Sequence, residues 1–253
     1  MKIIISPAKS LEEEKQLPTS KASQPEFFDE AIKLNRKLAR MSKPELSKLM
    51  KISDNLADLN YGRFQEFDES NKTDKARPAV YLYDGDVYNG LDVYSLPNKK
   101  IDQLQSTLRI ISGMYGVLKP LDVIQPYRLE MSTKLQAQGN DNLYEFWKEK
   151  ITESFNNELK EDELFLNLAS KEYSKAIDEK ALKTEMISPV FKDFKNGKLR
   201  VVAIYAKKAR GAMVRYVLDK NASSMEEVLG FDYMGYGYSE KYTENENEPV
   251  FVR

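Results

Sequence analysis

The order of apolar and polar positions divides the chain into short apolar runs and longer amphipathic stretches. A short apolar, β-branched run is typical of a buried strand. Apolar residues that recur every three or four positions are typical of a helix with one buried face. Strands are predicted at residues 2–5, 79–83, 108–111, 164–168, 184–191 and 198–205. Helices are predicted at residues 27–41, 42–50, 54–67, 101–108, 142–159, 174–180 and 206–217.

This alternation of strands and helices predicts an α/β fold. Parallel strands need crossover connections, and a helix is the usual crossover. We therefore expect a single α/β domain, residues 1–253, with a central, mostly parallel sheet flanked by helices. Residues 27–67 hold three predicted helices and no strand, so we expect a helical insertion within the domain, after the first strand.

Two capping boxes mark the starts of predicted helices. Ser42 is followed by Glu45, and Ser224 is followed by Glu227, each at a spacing of three. In a capping box each side chain accepts a hydrogen bond from a backbone N–H group of the first turn. Ser53 is placed to cap the next helix, so the chain is expected to turn tightly between residues 50 and 54.

The composition excludes several classes of chemistry, because the chain has no cysteine and no histidine. Disulfides, thiolate nucleophiles, zinc sites of the usual kind and Ser-His-Asp triads are all ruled out. Any catalysis must rest on carboxylates, lysine, tyrosine, hydroxyl or backbone groups. We expect no cofactor and no metal site. The sequence also shows no membrane-length apolar run and no signal peptide, so we expect a cytoplasmic protein without membrane contact.

Charge is unevenly distributed although the net charge is only −1. Seven lysines or arginines and no acid lie between Phe194 and Leu218, whereas acids are concentrated at residues 12–14, 158–163 and 240–248. A strand that leads into a cationic helix start can bind an anion, since the first N–H groups of a helix are free. The alternative is an ordinary solvated basic face.

Polar side chains follow the predicted strands at the points where the strands end. In a parallel sheet the ligand crevice lies outside the carboxyl ends of the strands. Five clusters at such ends therefore predict a pocket, although loops are polar in any case. The clusters are Ser6 with Lys9, Asp86 with Tyr88, Ser112 with Tyr115, Ser170 with Tyr173, and Lys207 with Arg210.

Six collinear segments identify a family resemblance. They read SPAKSL at 6–11, YDGDVYNGL at 83–91, LRIISGMYGVLKPLD at 108–122, QPYRLEM at 125–131, NLAS at 167–170 and YAKKARG at 205–211. On these segments the chain resembles the YaaA family of bacterial peroxide-stress proteins over essentially its whole length. The resemblance implies a family-specific α/β fold and a cytoplasmic role in the hydrogen peroxide response. That role is linked to limiting free intracellular iron and DNA damage.

The resemblance also implies binding of duplex or branched DNA through a positively charged cleft and a helix-hairpin-helix. Residues 49–57 lie over the hairpin pattern, in which Ile52 and Ala57 match. Lys51 and Ser53 stand where the family pattern has glycines. Such glycines let backbone N–H groups approach a phosphate closely. Lys51 would replace that backbone contact with a side-chain charge.

The first hypothesis is therefore a DNA-binding protein without enzymatic activity that protects DNA from iron-dependent oxidative damage. Its contacts would be phosphate contacts, largely independent of sequence and sensitive to salt. Tyr115 or Tyr127 would stack on an unpaired base, or else pack in the core. The candidate DNA-binding residues are Lys9, Lys48, Lys51, Arg63, Arg128, Lys207, Lys208, Arg210 and Arg215.

The alternative hypothesis is an enzyme that acts on a nucleotide or damaged base, with a small nucleotide ligand in the strand-end pocket. Lys9 or Lys207 would act as an amine nucleophile if desolvation lowered its pKa. Asp86 or Glu130 would act as a general base, and Tyr115 is a further catalytic candidate. A third hypothesis is a regulator that binds a protein partner through the acidic, aromatic segment 231–252.

Overall fold

The computed structural model describes all 253 residues, Met1–Arg253, and confirms the predicted α/β class. The helices are α1 (Phe28–Leu38), α2 (Lys43–Met50), α3 (Asp54–Gln65), α4 (Ala79–Leu82), α5 (Asp86–Leu91), α6 (Ile101–Thr107), α7 (Leu143–Glu158), α8 (Lys171–Ser174), α9 (Ala203–Lys220) and α10 (Met225–Leu229). The strands are β1 (Lys2–Ile5), β2 (Ser10–Leu11), β3 (Arg77–Pro78), β4 (Tyr83–Asp84), β5 (Leu108–Ser112), β6 (Gly116–Leu118), β7 (Val123–Ile124), β8 (Phe165–Leu168), β9 (Met186–Ile187), β10 (Val190–Lys195), β11 (Lys198–Arg200), β12 (Gly237–Tyr238) and β13 (Val250–Val252).

The largest sheet has five strands in the order β6-β5-β1-β8-β9. Strands β5, β1, β8 and β9 are parallel, and β6 runs antiparallel to β5. In the register, Ile3 lies opposite both Leu108 and Leu166. The apolar runs of these strands are explained by this position, because a strand covered on both faces needs apolar side chains on both.

A second sheet is built from the last quarter of the chain, in the order β11-β10-β13-β12. Strand β13 is parallel to β10 and antiparallel to β12. Two small antiparallel pairs complete the sheets, β2 with β4 and β3 with β7. The β2–β4 pair matters for the site, because it fixes the loop that follows β1 beside the segment that leads into α5.

The helices predicted between residues 27 and 67 are present as α1, α2 and α3. Both capping boxes are confirmed: Ser42 and Ser224 each occupy the N-cap position, with Glu45 and Glu227 bonded back to them. Helices α1 and α3 are joined by a buried hydrogen bond of 3.0 Å from Asn35 Nδ2 to the carbonyl oxygen of Phe64. This contact fixes the two helices that flank α2.

Four predicted elements are wrong in type or position. The strand predicted at 184–191 is divided between β9, in the largest sheet, and β10, in the second sheet. Residues 79–82 form the helical turn α4 and not a strand, because the amides of Ala79 and Val80 donate to the carbonyl oxygens of Asp122 and Pro120. The strand predicted at 198–205 ends at Arg200, and α9 begins at Ala203. Its apolar residues do not enter the core, since Val201 is 54% exposed. The short helix predicted at 174–180 lies at Lys171–Ser174.

Helices α5 and α9 are in direct backbone contact at two glycines. A Cβ atom on Gly211 would lie 1.8 Å from the carbonyl oxygen of Val87, and one on Gly90 would lie 2.0 Å from that of Lys208. Packed helices normally keep their axes 8–10 Å apart because side chains separate them. Here no side chain can enter, so the contact fixes the first half of α9 against α5. None of the helices combines the length and the apolar character that a membrane-spanning helix requires.

The glycine contact predicts a large difference between two kinds of Gly→Ala substitution. Gly211→Ala and Gly90→Ala should each lower the free energy of unfolding by about 1–3 kcal/mol or more, since the added methyl overlaps backbone atoms that cannot rotate away. Urea unfolding followed by circular dichroism measures the change.

Gly62→Ala is the matched control, because Gly62 also lies inside a helix but its Cβ would meet no atom within 4 Å. It should raise stability by about 0.5–1 kcal/mol through helix propensity. Equal unfolding midpoints for Gly211→Ala and Gly62→Ala would show that α5 and α9 are not in close contact.

Candidate functional site

A cleft of 780 Å³ lies between α2 and the loops that follow β1 and β7. Five of its lining side chains are cationic and three are carboxylates. The cations are Lys9, Lys48, Lys51, Arg128 and Lys134, and the carboxylates are Glu45, Glu130 and Glu172. The cleft therefore brings together basic residues from three segments that are far apart in the sequence.

All three carboxylates of the cleft are engaged within the protein. Glu45 accepts a hydrogen bond of 2.8 Å from the Ser42 amide. Glu172 accepts hydrogen bonds from the Ser132 amide at 3.1 Å and the Ser132 hydroxyl at 2.7 Å. Glu130 forms ion pairs described below.

In contrast, Lys48, Lys51 and Lys134 have no carboxylate within 4 Å of their ammonium groups. The charge that is available to a ligand in the cleft is therefore positive.

Glu130 is the centre of an ion-pair cluster on the inner side of the cleft. Its Oε1 accepts from Arg128 Nη2 at 2.9 Å and lies 3.2 Å from Lys9 Nζ. Its Oε2 is buried and has no hydrogen-bond partner. A buried carboxylate oxygen is normally satisfied, so Oε2 is an unsatisfied acceptor beside the cleft.

The loop that carries Arg128 and Glu130 is held against the end of β5. A Cβ atom on Gly113 would lie 2.3 Å from the carbonyl oxygen of Leu129, so the two backbones touch. Trp147 Nε1 donates to the carbonyl oxygen of Gly113 at 2.9 Å and holds the opposite side of this turn. The direct backbone contact explains why this motif carries glycine immediately after the strand.

A buried chain of hydroxyl groups also fixes this loop. The Tyr127 hydroxyl lies 2.6 Å from Ser112 Oγ and 2.6 Å from the Tyr83 hydroxyl. Ser112 Oγ also accepts from the amide of Tyr115 at 3.0 Å. Burial raises the pKa of Tyr127 to about 12 and that of Tyr83 well above its usual value. Both hydroxyls therefore stay protonated at neutral pH and act as a structural network.

The ends of β1 and β8 are linked by a second set of polar contacts. The Ser170 amide donates to Ser6 Oγ at 2.9 Å, and the two hydroxyl oxygens are 3.3 Å apart. The Tyr88 hydroxyl donates to the Ser6 carbonyl oxygen at 3.1 Å, which anchors α5. The strand-end residues Ser6, Tyr88 and Ser170 are thus brought together, but they bond to one another.

The four catalytic candidates are placed differently. Lys9 and Glu130 line the cleft. Tyr115 is completely buried, and its hydroxyl accepts from the Gln125 amide at 3.1 Å. Asp86 is half-buried at the first position of α5 and does not line the cleft.

Five predicted DNA-binding residues lie outside the cleft. Arg63 is paired with Glu13 at 2.5 Å, and Arg215 is paired with Asp219 at 3.0 Å. Arg215 also donates to the carbonyl oxygen of Asp92 at 3.1 Å, so its guanidinium holds α9 to the segment after α5. The remaining three lie on α9: Lys207 is exposed, Lys208 is half-buried and Arg210 lines a second cavity.

Sequence reasoning missed Lys134 and the Ser132–Glu172 contact. Ser132 and Lys134 lie in a polar stretch without helical or strand periodicity, directly after the QPYRLEM segment. The closeness of Lys134 to that segment is the one signal that would have pointed to this residue.

Comparison with known proteins identifies the family. A family model described as peroxide stress protein YaaA matches residues 1–242. The chain belongs to this family. The resemblance predicted from the motifs is therefore confirmed.

Relatives of this YaaA family member cover its full length. A protein of Flavobacterium johnsoniae named UPF0246 protein is 54% identical over 254 residues, which is 100% of both chains. A UPF0246 protein of Flavobacterium psychrophilum is 49% identical over 253 residues, again 100% of both. A UPF0246 protein of a Marinomonas species is 46% identical over 253 residues, 100% of this chain and 97% of the relative.

The buried hydroxyl network predicts a loss of stability at alkaline pH. The folded protein keeps the Tyr127 proton at pH values at which the unfolded chain releases it, because burial raises the pKa from 10.0 to about 12. Its contribution is complete below pH 10 and is lost as the pH rises towards 12. Tyr127→Phe should make this decline shallower by up to about 1.4 kcal/mol per pH unit.

At neutral pH the same variant should lose about 1–3 kcal/mol, since Ser112 and Tyr83 lose a buried partner. Urea unfolding between neutral pH and pH 11 tests both effects. Tyr238→Phe is the control, because its hydroxyl is exposed and makes no hydrogen bond. A decline with pH that is the same in wild type and Tyr127→Phe would contradict the prediction.

Proposed function

We propose that this member of the YaaA family binds DNA in the cleft and so shields it from iron-dependent oxidative damage. The observation that carries the proposal is the imbalance of free charge. Lys48, Lys51 and Lys134 have no ion-pair partner in the cleft, whereas each carboxylate there is engaged by the protein. Duplex DNA presents closely spaced phosphates, which are the natural partners of such lysines.

The α2–α3 hairpin supports this proposal through the backbone of Lys51. Its φ of 53° and ψ of 50° are in the left-handed region that glycine normally supplies. The turn between α2 and α3 thus adopts a left-handed conformation without a glycine, which supports a helix-hairpin-helix role, and the lysine side chain lines the cleft. Ser53 caps α3 by accepting from the Leu56 amide at 3.4 Å. We therefore propose that the hairpin contacts phosphate through side-chain charge and not through free backbone amides.

The proposal uses phosphate contacts alone. Tyr115 and Tyr127 do not line the cleft, since both rings are buried and packed edge-to-face with centroids 5.4 Å apart. Binding without base contacts has no direct means of reading sequence. We therefore expect similar affinity for duplexes of different sequence and a strong dependence on salt.

Fluorescence anisotropy with labelled duplex and junction DNA tests the proposal. Lys48→Ala, Lys51→Asn and Lys134→Ala should each weaken binding. Each should also reduce the slope of log affinity against log salt on the duplex by about 0.9 for every phosphate contact that is lost. Lys51→Asn is the sharpest variant, because asparagine tolerates the left-handed conformation and removes the charge without restoring the glycine of the family pattern.

Lys99→Ala is the control for these variants, since Lys99 is exposed, unpaired and outside the cleft. It should leave both affinity and salt slope unchanged. Binding that is insensitive to salt, or equal in wild type and all three cleft variants, would refute DNA binding in the cleft.

A second candidate function is supported by the unpaired Oε2 of Glu130. A ligand N–H or O–H group would satisfy this oxygen, and nucleobases and sugars offer both. In an enzyme acting on a nucleotide or damaged base, Glu130 would serve as the general base. Lys9 lies 3.2 Å away and would serve as the amine nucleophile.

Glu130→Gln separates the two functions. DNA binding in the cleft predicts that the variant binds its ligand more tightly, whereas a nucleoside or base site predicts that it binds its ligand more weakly. If DNA occupies the cleft, the variant should bind DNA more tightly, since a negative charge is lost and Arg128 and Lys9 are released. If a nucleoside or free base occupies the site, calorimetry should detect its binding to wild type and at least a tenfold loss in the variant. Absence of binding heat with every nucleoside and base at millimolar concentration would exclude the enzymatic alternative.

A further inference from the structure

A second cavity, of 790 Å³, lies beyond the carboxyl ends of β8 and β9. Its opposite wall is formed by the first half of α9 and by the segment that precedes β13. None of its lining residues lines the cleft described above. The volume falls within the range of small-molecule sites, and the edge of the parallel strands where it lies is the usual place for a ligand.

Arg210 on α9 is an unusual residue in this cavity. Its Nε is buried and has no hydrogen-bond partner. It also has no carboxylate within ion-pair distance. Every other arginine that is not exposed has an ion pair or donates to backbone carbonyl oxygens, as Arg63 and Arg77 illustrate. Burial lowers the pKa of Arg210.

A buried guanidinium group without a hydrogen-bond or ion-pair partner lowers the stability of the folded protein. Removing a charge from water costs several kcal/mol unless an opposite charge or hydrogen bonds replace the water. Arginine is also the side chain best suited to a planar carboxylate or to phosphate, because its donors form a rigid fork. An anion that entered the cavity would match the uncompensated charge of Arg210.

The other charges around the cavity favour the same kind of ligand. Lys171, Lys175 and Lys192 line it, and none of them is in an ion pair. The three lining carboxylates are exposed, as are Lys171 and Lys175, and none of the three lies within ion-pair distance of Arg210, so the lining as a whole has one more cation than acids. Those carboxylates are Glu179, Glu244 and Glu248.

The remaining wall is apolar. Phe191 and Val250 are buried beside the cavity, and Ala206 and Tyr242 also line it. Small-molecule sites typically combine such a wall with a few polar groups that fix orientation. A free inorganic anion would bind the cationic side chains and leave the apolar wall uncovered.

We propose that this cavity binds a small organic anion, with its phosphate or carboxylate group on Arg210 and its apolar part against Phe191 and Tyr242. The site is separate from the cleft, so it holds whether or not DNA binds there. Phosphate monoesters and carboxylates share the chemistry that the site recognises, and the experiment distinguishes them.

Thermal unfolding with phenyl phosphate, benzoate, inorganic phosphate and phenol tests the proposal at constant ionic strength. Phenyl phosphate or benzoate should raise the wild-type melting temperature, and whichever acts more strongly identifies the anion class. Phenol should have no effect, because it lacks the charge. Inorganic phosphate should bind at least about tenfold more weakly than phenyl phosphate, since it leaves the apolar wall uncovered.

Arg210→Met gives a combination of results that a structural arginine would not give. The variant should be as stable as wild type or more stable in chloride buffer, because it removes an unpaired charge and keeps an unbranched apolar side chain. It should also lose the response to phenyl phosphate and benzoate. Lys207→Met, three residues earlier on the same helix and exposed, should change neither property.

Tyr242→Ala provides a second variant that leaves the guanidinium in place. It should weaken phenyl phosphate binding while leaving the response to inorganic phosphate unchanged. The proposal is overturned if neither organic anion stabilises wild type, if Arg210→Met keeps the full response, or if Arg210→Met is strongly destabilised in chloride buffer.

Discussion

Both candidate sites depend on one arrangement of strands, in which β1 lies between β5 and β8 and runs parallel to both. The side chains of Ile3, Ile4 and Ile5 are completely buried, so apolar burial on both faces adds to the backbone ladder. Parallel pairing brings the carboxyl ends of the strands to one edge. The segment that leaves β1 carries Lys9 into the cleft, the turn after β5 supports the loop that carries Glu130, and the segments that leave β8 and β9 form a wall of the second cavity.

The pairing of charges separates structural cations from available ones. Arg109 is buried and paired with Glu158, and Arg215 binds Asp219 together with nearby carbonyl oxygens. These guanidinium groups hold elements together and have little capacity for a ligand. Three lysines of the cleft, Lys48, Lys51 and Lys134, have no such partner, so they retain a positive potential in a chain of net charge −1. Local pairing, and not total charge, decides where an anion can bind.

The parts of the fold that could be predicted have local signals. Continuous apolar runs mark β1, β5 and β8, and capping boxes mark α2 and α10. The helical turn α4 has no such signal, because its amides are satisfied by the distant residues Pro120 and Asp122. The same holds for the site. Lys9 and Arg128 follow strand-end motifs and were predicted, whereas the pairing of Arg63 with Glu13 depends on tertiary structure that no local pattern encodes.

The position of β1 also determines the order in which the protein can assemble. Ile3 pairs with Leu108 on one side and with Leu166 on the other, so β1 is synthesised long before either of its neighbouring strands. During synthesis on the ribosome, both backbone edges of β1 stay unpaired until its partner strands have been made. In that state the apolar strand can aggregate or bind chaperones. The sheet closes only when β8 emerges, so folding is expected to be late, cooperative and limited by long-range pairing.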